Sequence, residues 1–178
     1  MASQTAIGRQ QLGVVRGVAA GAAALLAVTA YCLIQQPFPE PEDRVRFWMK
    51  WNIPKAACLW WQIARVGNHR FSSPADIMGA GLSTNPSPQI KCMQATLQNT
   101  LEQTVLASLV HGGFAALAPL QWLQLIPAYT LLFVAGRVLF VARYESGAAA
   151  RAPGVALTLL PTQLMLLGCC WLLFKDPW

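Results

Sequence analysis

Between Gln103 and Gly136 the chain runs for 34 residues without a formal charge. A hydrocarbon core of roughly 30 Å takes about 20 helical residues, so this stretch is too long for one membrane crossing and reads as two. Ala118-Pro119-Leu120-Gln121 supplies the turn between them. One helix is then expected near Thr96 to Leu117 and the next near Trp122 to Ala142, with Pro127 in the early turns, where it is tolerated. Two more apolar runs flank this pair. Gly17 to Ile34 offers 18 uncharged residues and Val155 to Phe174 offers 20, with Pro161 a candidate kink. A cleaved signal peptide is the rival reading of the first run, since Arg9 and Arg16 precede it and Val28-Thr29-Ala30 looks like a cleavage site. Signal h-regions span roughly 7 to 15 residues, so the length favours an anchor. Within it, Gly17 and Gly21 form a G-x-x-x-G that lets another helix approach closely.

Charge usage supports this reading. Only 11% of residues are charged and 55% are hydrophobic, about half the charge of a soluble domain and too little to cover a water-facing surface. The net charge of +6 would suit a polyanion, but the Lys and Arg residues stand singly between apolar runs. Membrane topology accounts for that pattern, and no nucleic-acid partner is expected. At 178 residues there is room for one membrane domain and no large soluble one. Cys32, Cys58, Cys169 and Cys170 lie inside apolar runs as small buried hydrophobes. No C-x-x-C occurs, and neither His69 nor His111 has a partner at ligand spacing, so no metal and no disulfide are expected.

The stretch Phe47 to Val66 carries Lys50, Lys55 and Arg65 beside Trp48, Trp51, Trp60 and Trp61, and suits either a crossing or an interfacial helix. Loop charge decides between them. With five crossings, the N-terminal tail (Arg9, Arg16), the loop Gly67 to Lys91 and the loop Arg143 to Arg151 share one side. Opposite them lie the linker with Glu40, Glu42 and Asp43, the turn at Pro119, and Lys175 with Asp176. Four crossings would separate the basic tail from the Arg143 loop, against the positive-inside bias. The expectation is an all-α, polytopic membrane helix bundle of five spans with its N-terminus and basic loops cytoplasmic. The tryptophans near span ends read as interfacial anchors.

Polar residues gather at one point. Leu97-Gln-Asn-Thr-Leu-Glu-Gln-Thr104 places Asn99 and Glu102 three apart on a helix. A carboxylate at the membrane edge is costly and normally finds a cation inside the bundle. Arg137, near the end of the next antiparallel helix, is the expected partner of Glu102, as a ligand site or as a tie that pins helix register. His111-Gly112-Gly113 reads as a packing histidine beside glycines that admit a neighbouring helix, with a proton-relay site as the alternative. Cys92 precedes the polar cluster as a lone cysteine.

These residues carry a resemblance. Leu97 to Leu106, Gly136-Arg-Val-Leu-Phe140, Arg143-Tyr144 and Ala156-Leu-Thr-Leu-Leu-Pro-Thr162 are similar to the MAPEG family, the membrane-associated proteins in eicosanoid and glutathione metabolism. Arg70-Phe-Ser-Ser-Pro-Ala-Asp76 resembles its bacterial and mattrin-like branch more than the leukotriene C synthase branch. The likeness covers roughly Arg44 to Phe174. It divides the chain into residues 1–43, a tail, transmembrane anchor and Pro-rich acidic linker, and residues 44–178, a MAPEG-like four-helix domain. The resemblance implies homotrimers that hold glutathione between subunits and act on lipophilic substrates by conjugation or peroxide reduction. By position, it implies that Asn99 and Glu102 bind the tripeptide's polar backbone and amine. Arg137 and Arg151 would engage carboxylate or thiolate, with Arg137 catalytic, and Tyr144 matches a site tyrosine. A cation near a thiol raises the reactive thiolate fraction, which makes that chemistry reasonable. Two family positions differ: an arginine falls on Ala95 and a tyrosine on Phe140, with Lys91, four residues before Ala95, the candidate substitute for the missing cation. The competing class is a non-catalytic membrane protein that keeps the fold and acts through protein or lipid contacts.

Overall fold

The structure, a computed structural model, describes residues 2–35, 41, 43–79, 82 and 85–175. Glu40, Glu42, Asp176 and most of the Pro-rich linker lie outside the described residues. Within them every regular element is helical: α1 (Ala2–Ile34), α2 (Arg44–Ser72), α3 (Pro88–Leu117), a short 3-10 turn (Leu120–Trp122), α4 (Leu125–Ala142) and α5 (Ala148–Lys175).

Several helices begin well before the apolar runs that announce them. The third starts at Pro88 rather than Thr96, and the fifth at Ala148 rather than Val155. Capping explains the second and third starts. Asp43 Oδ1 accepts from the N–H groups of Val45 and Arg46, and Ser87 Oγ accepts from that of Ile90 ahead of Pro88. Hydropathy marks where lipid ends, whereas caps mark where the helix ends. Among the described residues three segments are long and apolar enough to cross a membrane: Ile7–Ile34, Leu120–Ala142 and Ala148–Lys175. The other two helices, α2 and α3, are more polar, and at 29 and 30 residues each still exceeds a bilayer core in length.

Consecutive helices of the bundle alternate in direction. α2 pairs antiparallel with α3: Trp48 Nε1 donates to the Ser108 carbonyl at 3.0 Å, and Arg44 Nη1 reaches the α3 C-terminus at the Ala118 carbonyl, 2.7 Å away. α1 lies parallel to α5, along a seam of small residues. Gly13, Gly17 and Gly21 face Ala149, the Ala152-Pro153 pair and Ala156, and a β-carbon on Gly17 would stand 2.8 Å from Pro153 Cδ. The G-x-x-x-G thus continues one step toward the N-terminus, with α5 as its partner. A hydrogen bond from Ala149 N–H to Gln10 Oε1 holds the α1 start beside the α4–α5 turn, where Gly147 adopts φ +97°. The α3 start joins them, since Pro88, Gln89 and Cys92 line one hollow with Tyr144 and Glu145. One end of the bundle therefore collects the segments that loop charge grouped together. At the opposite end, Gln124 Nε2 donates to the Cys32 carbonyl.

One expectation needs correction. Cys170 is exposed on the outer face of α5 while Cys32, Cys58 and Cys169 are buried, because adjacent residues on a helix point about 100° apart. Trp48 is half-buried, and its indole packs inward against Gly112, 3.0 Å from where a β-carbon would be.

Candidate functional site

Among the described residues Arg137 is the largest side chain sealed in the bundle, at 1% exposed. It projects from α4 between α3 and α5. Nη1 donates to Asn99 Oδ1 at 2.8 Å, Nη2 donates to Thr158 Oγ1 at 2.7 Å, and Nε has no partner. Thr158 in turn donates to the Val155 carbonyl at 2.8 Å. Close helix contact makes this possible, since Gly154 lies directly against the Gly136 and Phe140 backbone, where a β-carbon would collide. The guanidinium also lies 4.5 Å from the Phe140 ring centroid and 5.9 Å from that of Phe133.

The expected pairing of Glu102 with Arg137 does not form. Glu102 is exposed on the outside of α3 and accepts from Gln98 Nε2 at 2.9 Å. Helix geometry gives the reason. The inward face of α3 runs through Thr96, Thr100, Thr104, Ala107 and His111; Asn99 borders that face, whereas Glu102 lies about 200° around from Thr100. A spacing of three placed the two residues near one another without placing both toward the core.

Tyr144 and Arg151 form a second pair just beyond the first. The Arg151 guanidinium lies 4.4 Å over the Tyr144 ring, and Tyr144 meets Phe140 edge-on at 5.3 Å. Phe140 thus sits between the two arginines. Of the five residues singled out, the structure joins Asn99 to Arg137 and Tyr144 to Arg151, links the pairs through Phe140, and turns Glu102 outward. Ala95 is half-buried and Lys91 exposed. Thr158, one of Arg137's two partners, carried no sequence signal of its own.

Sequence reasoning also missed a second buried cation. Lys55 is fully buried, and its Nζ lies 3.1 Å from His111 Nδ1 and 3.5 Å from the Ala107 carbonyl. The available signal was spacing, because Lys55, Cys58, Gln62 and Val66 occupy one face of α2 and all are buried. His111 is therefore a hydrogen-bonded core residue, and the adjacent Gly112 admits Trp48 from α2.

The loop between α2 and α3 brings His69, Asp76 and Ser87 together, which invites comparison with a hydrolase triad. The bonding pattern excludes that role. Ser87 Oγ donates to Asp76 Oδ2 at 2.7 Å and accepts from Ile90 N–H, so its proton points at the carboxylate rather than at the imidazole Nε2, 3.5 Å away. Bonds from the Ser87 backbone N–H and hydroxyl, then from Ser73 and His69, hold the Asp76 carboxyl well below the usual carboxylate range. The segment Arg70 to Asp76 thus supplies the centre of a loop lock. Among the described residues no group of three or more His, Cys, Asp or Glu is placed to hold a metal ion.

A model of the MAPEG family matches residues 51–171, more than half of the chain. The chain belongs to the MAPEG family. Neither the curated proteins nor the solved structures provide a significant match. The MAPEG stretch runs from within α2 to within α5 and includes Asn99, Glu102, Arg137, Tyr144 and Arg151 as well as Lys55 and His111. α1 lies entirely outside the MAPEG match, yet it packs along α5 and bonds to α4.

Proposed function

We propose that the Arg137 end of this MAPEG bundle binds glutathione or a similar anionic thiol between the subunits of a homotrimer, for conjugation or peroxide reduction of lipophilic substrates. One observation carries the reading: Arg137 is a sealed cation whose hydrogen-bond partners, Asn99 and Thr158, are both neutral. A buried charge lacking a counter-charge costs several kcal/mol, which a bound anion at that end offsets. Arg151, half-exposed over Tyr144, offers a fork suited to a carboxylate. Glu102 faces outward, where a neighbouring subunit or the amine of a tripeptide would meet it. Bound there, the thiol would supply the nucleophile, and the protein's part would be to hold it near a cation that favours the thiolate. The same reading takes the basic end as cytoplasmic, on the positive-inside bias, and places the chain in the bacterial and mattrin-like branch on the strength of Arg70 to Asp76 alone.

A second reading rests on its own observation. Both Nη groups of Arg137 are engaged and Phe140 lies across the guanidinium, as a register tie in a non-catalytic member would require. Calorimetric titration of the purified protein with glutathione separates the two, alongside native mass measurement in detergent. Uptake by a trimer, lost in Arg137→Ala while the variant remains folded and trimeric, supports the ligand site. No uptake at millimolar glutathione, with a lower melting temperature in the variant, leaves the tie.

A further inference from the structure

A cavity of about 200 Å³ lies among α1, α3, α4 and α5, lined by Thr29, Phe114, Trp122, Tyr129, Met165 and Gly168 among others. It stands apart from the Arg137 cluster: Tyr129 precedes Arg137 by eight residues, about 12 Å along α4. Leu33 and Leu164, both half-exposed, form part of its rim. An engineered apolar cavity of about 150 Å³ holds benzene, so this one has room for a ring or the end of a chain.

Within this apolar lining, two hydroxyls are bonded together. Thr29 Oγ1 donates its single proton to the Leu25 carbonyl at 2.7 Å and lies 2.8 Å from Tyr129 Oη. With the Thr29 proton already committed, the Tyr129 hydroxyl must be the donor in that second bond. Tyr129 Oη then retains only acceptor capacity. A group meeting it from the cavity must bring its own proton, which an alcohol or phenol does, and which a carboxylate, a phosphate diester or an ether cannot. The α1 helix, outside the family match, supplies Thr29 and thereby fixes this polarity.

We propose that this cavity binds the hydroxyl end of a neutral lipophile, an aliphatic alcohol or a phenol, which enters from the membrane past Leu33 and Leu164. The test uses the full chain in nanodiscs and hexadecanol carrying a diazirine near its hydroxyl. Photolabel is expected on the segments around Thr29, Tyr129 and Met165. Unlabelled hexadecanol should displace it, and hexadecyl methyl ether should do so about tenfold less well, the upper range for one neutral hydrogen bond. In the double variant Thr29→Val, Tyr129→Phe, which removes both partners with little change of shape, the two competitors should become equivalent. Equal competition by alcohol and ether on the unmodified protein would overturn the proposal. So would label spread over outward-facing residues such as Leu26 and Leu167.

Discussion

Gly136 and Gly154 meet where α4 crosses α5: a β-carbon on Gly136 would stand 2.8 Å from the Gly154 carbonyl oxygen. That proximity sets Arg137 within 2.7 Å of Thr158 one turn further along α5. Gly154→Ala should therefore destabilise the protein, because the added methyl meets Gly136 and Phe140 backbone atoms that cannot yield as a flexible side chain does. Overpacking of this kind costs about 1–3 kcal/mol and exceeds the gain of up to about 1 kcal/mol in helix propensity. A lowered thermal midpoint in detergent is the expected result, and an unchanged or raised one would count against the contact.

Arg137→Lys tests the fork. A lysine carries a point charge on a flexible stem and cannot present two fixed N–H groups to Asn99 and Thr158 together. We expect a loss of stability of about 1.5–3 kcal/mol, the value of one hydrogen bond to a charged group, measured by chemical unfolding. Equal stability would mean that charge alone matters at this position.

Lys55 and His111 depend on each other. Lys55 Nζ and His111 Nδ1 share a hydrogen bond of 3.1 Å inside the core. Removing either partner alone strands a polar group in the core, whereas Lys55→Met combined with His111→Phe strands neither. The double variant should be more stable than the sum of the singles by about 0.5–3 kcal/mol in a double-mutant cycle. Additive losses would show that the two side chains do not interact.

The Asp76 carboxyl predicts a pH dependence. Its folded-state pKa lies below the ordinary unfolded value of about 3.9. The stability it contributes is thus fully present above that value and is lost as pH falls below it. Asp76→Asn should lower the melting temperature at pH 7 and narrow its gap from the unmodified protein near pH 3. A gap independent of pH would indicate that the carboxylate charge contributes nothing.

The sequence by itself determined that this is an apolar helical chain, where α1, α4 and α5 lie, that the basic segments share one end, and that Gly17 and Gly21 face another helix. These follow from local hydropathy and from charge, which are properties of composition along the chain. It also put Arg137 at the depth of the Asn99 and Glu102 cluster, since a short turn fixes the depth of antiparallel helices, but it chose Glu102 rather than Asn99 as the partner. What it could not determine was rotation about each helix axis. An error of roughly 100° is one residue, and that turns Glu102 outward, Lys55 inward and Cys170 away from the core. Only packing decides this, through where Gly154 admits α4, where Gly112 admits Trp48, and which helix accepts the glycine seam of α1. The choice of Thr158 as the second anchor of Arg137 and of Tyr129 as the partner of Thr29 depended on the same contacts. Both pairs join residues distant in sequence, 21 and 100 positions apart, and no spacing rule reaches across such separations.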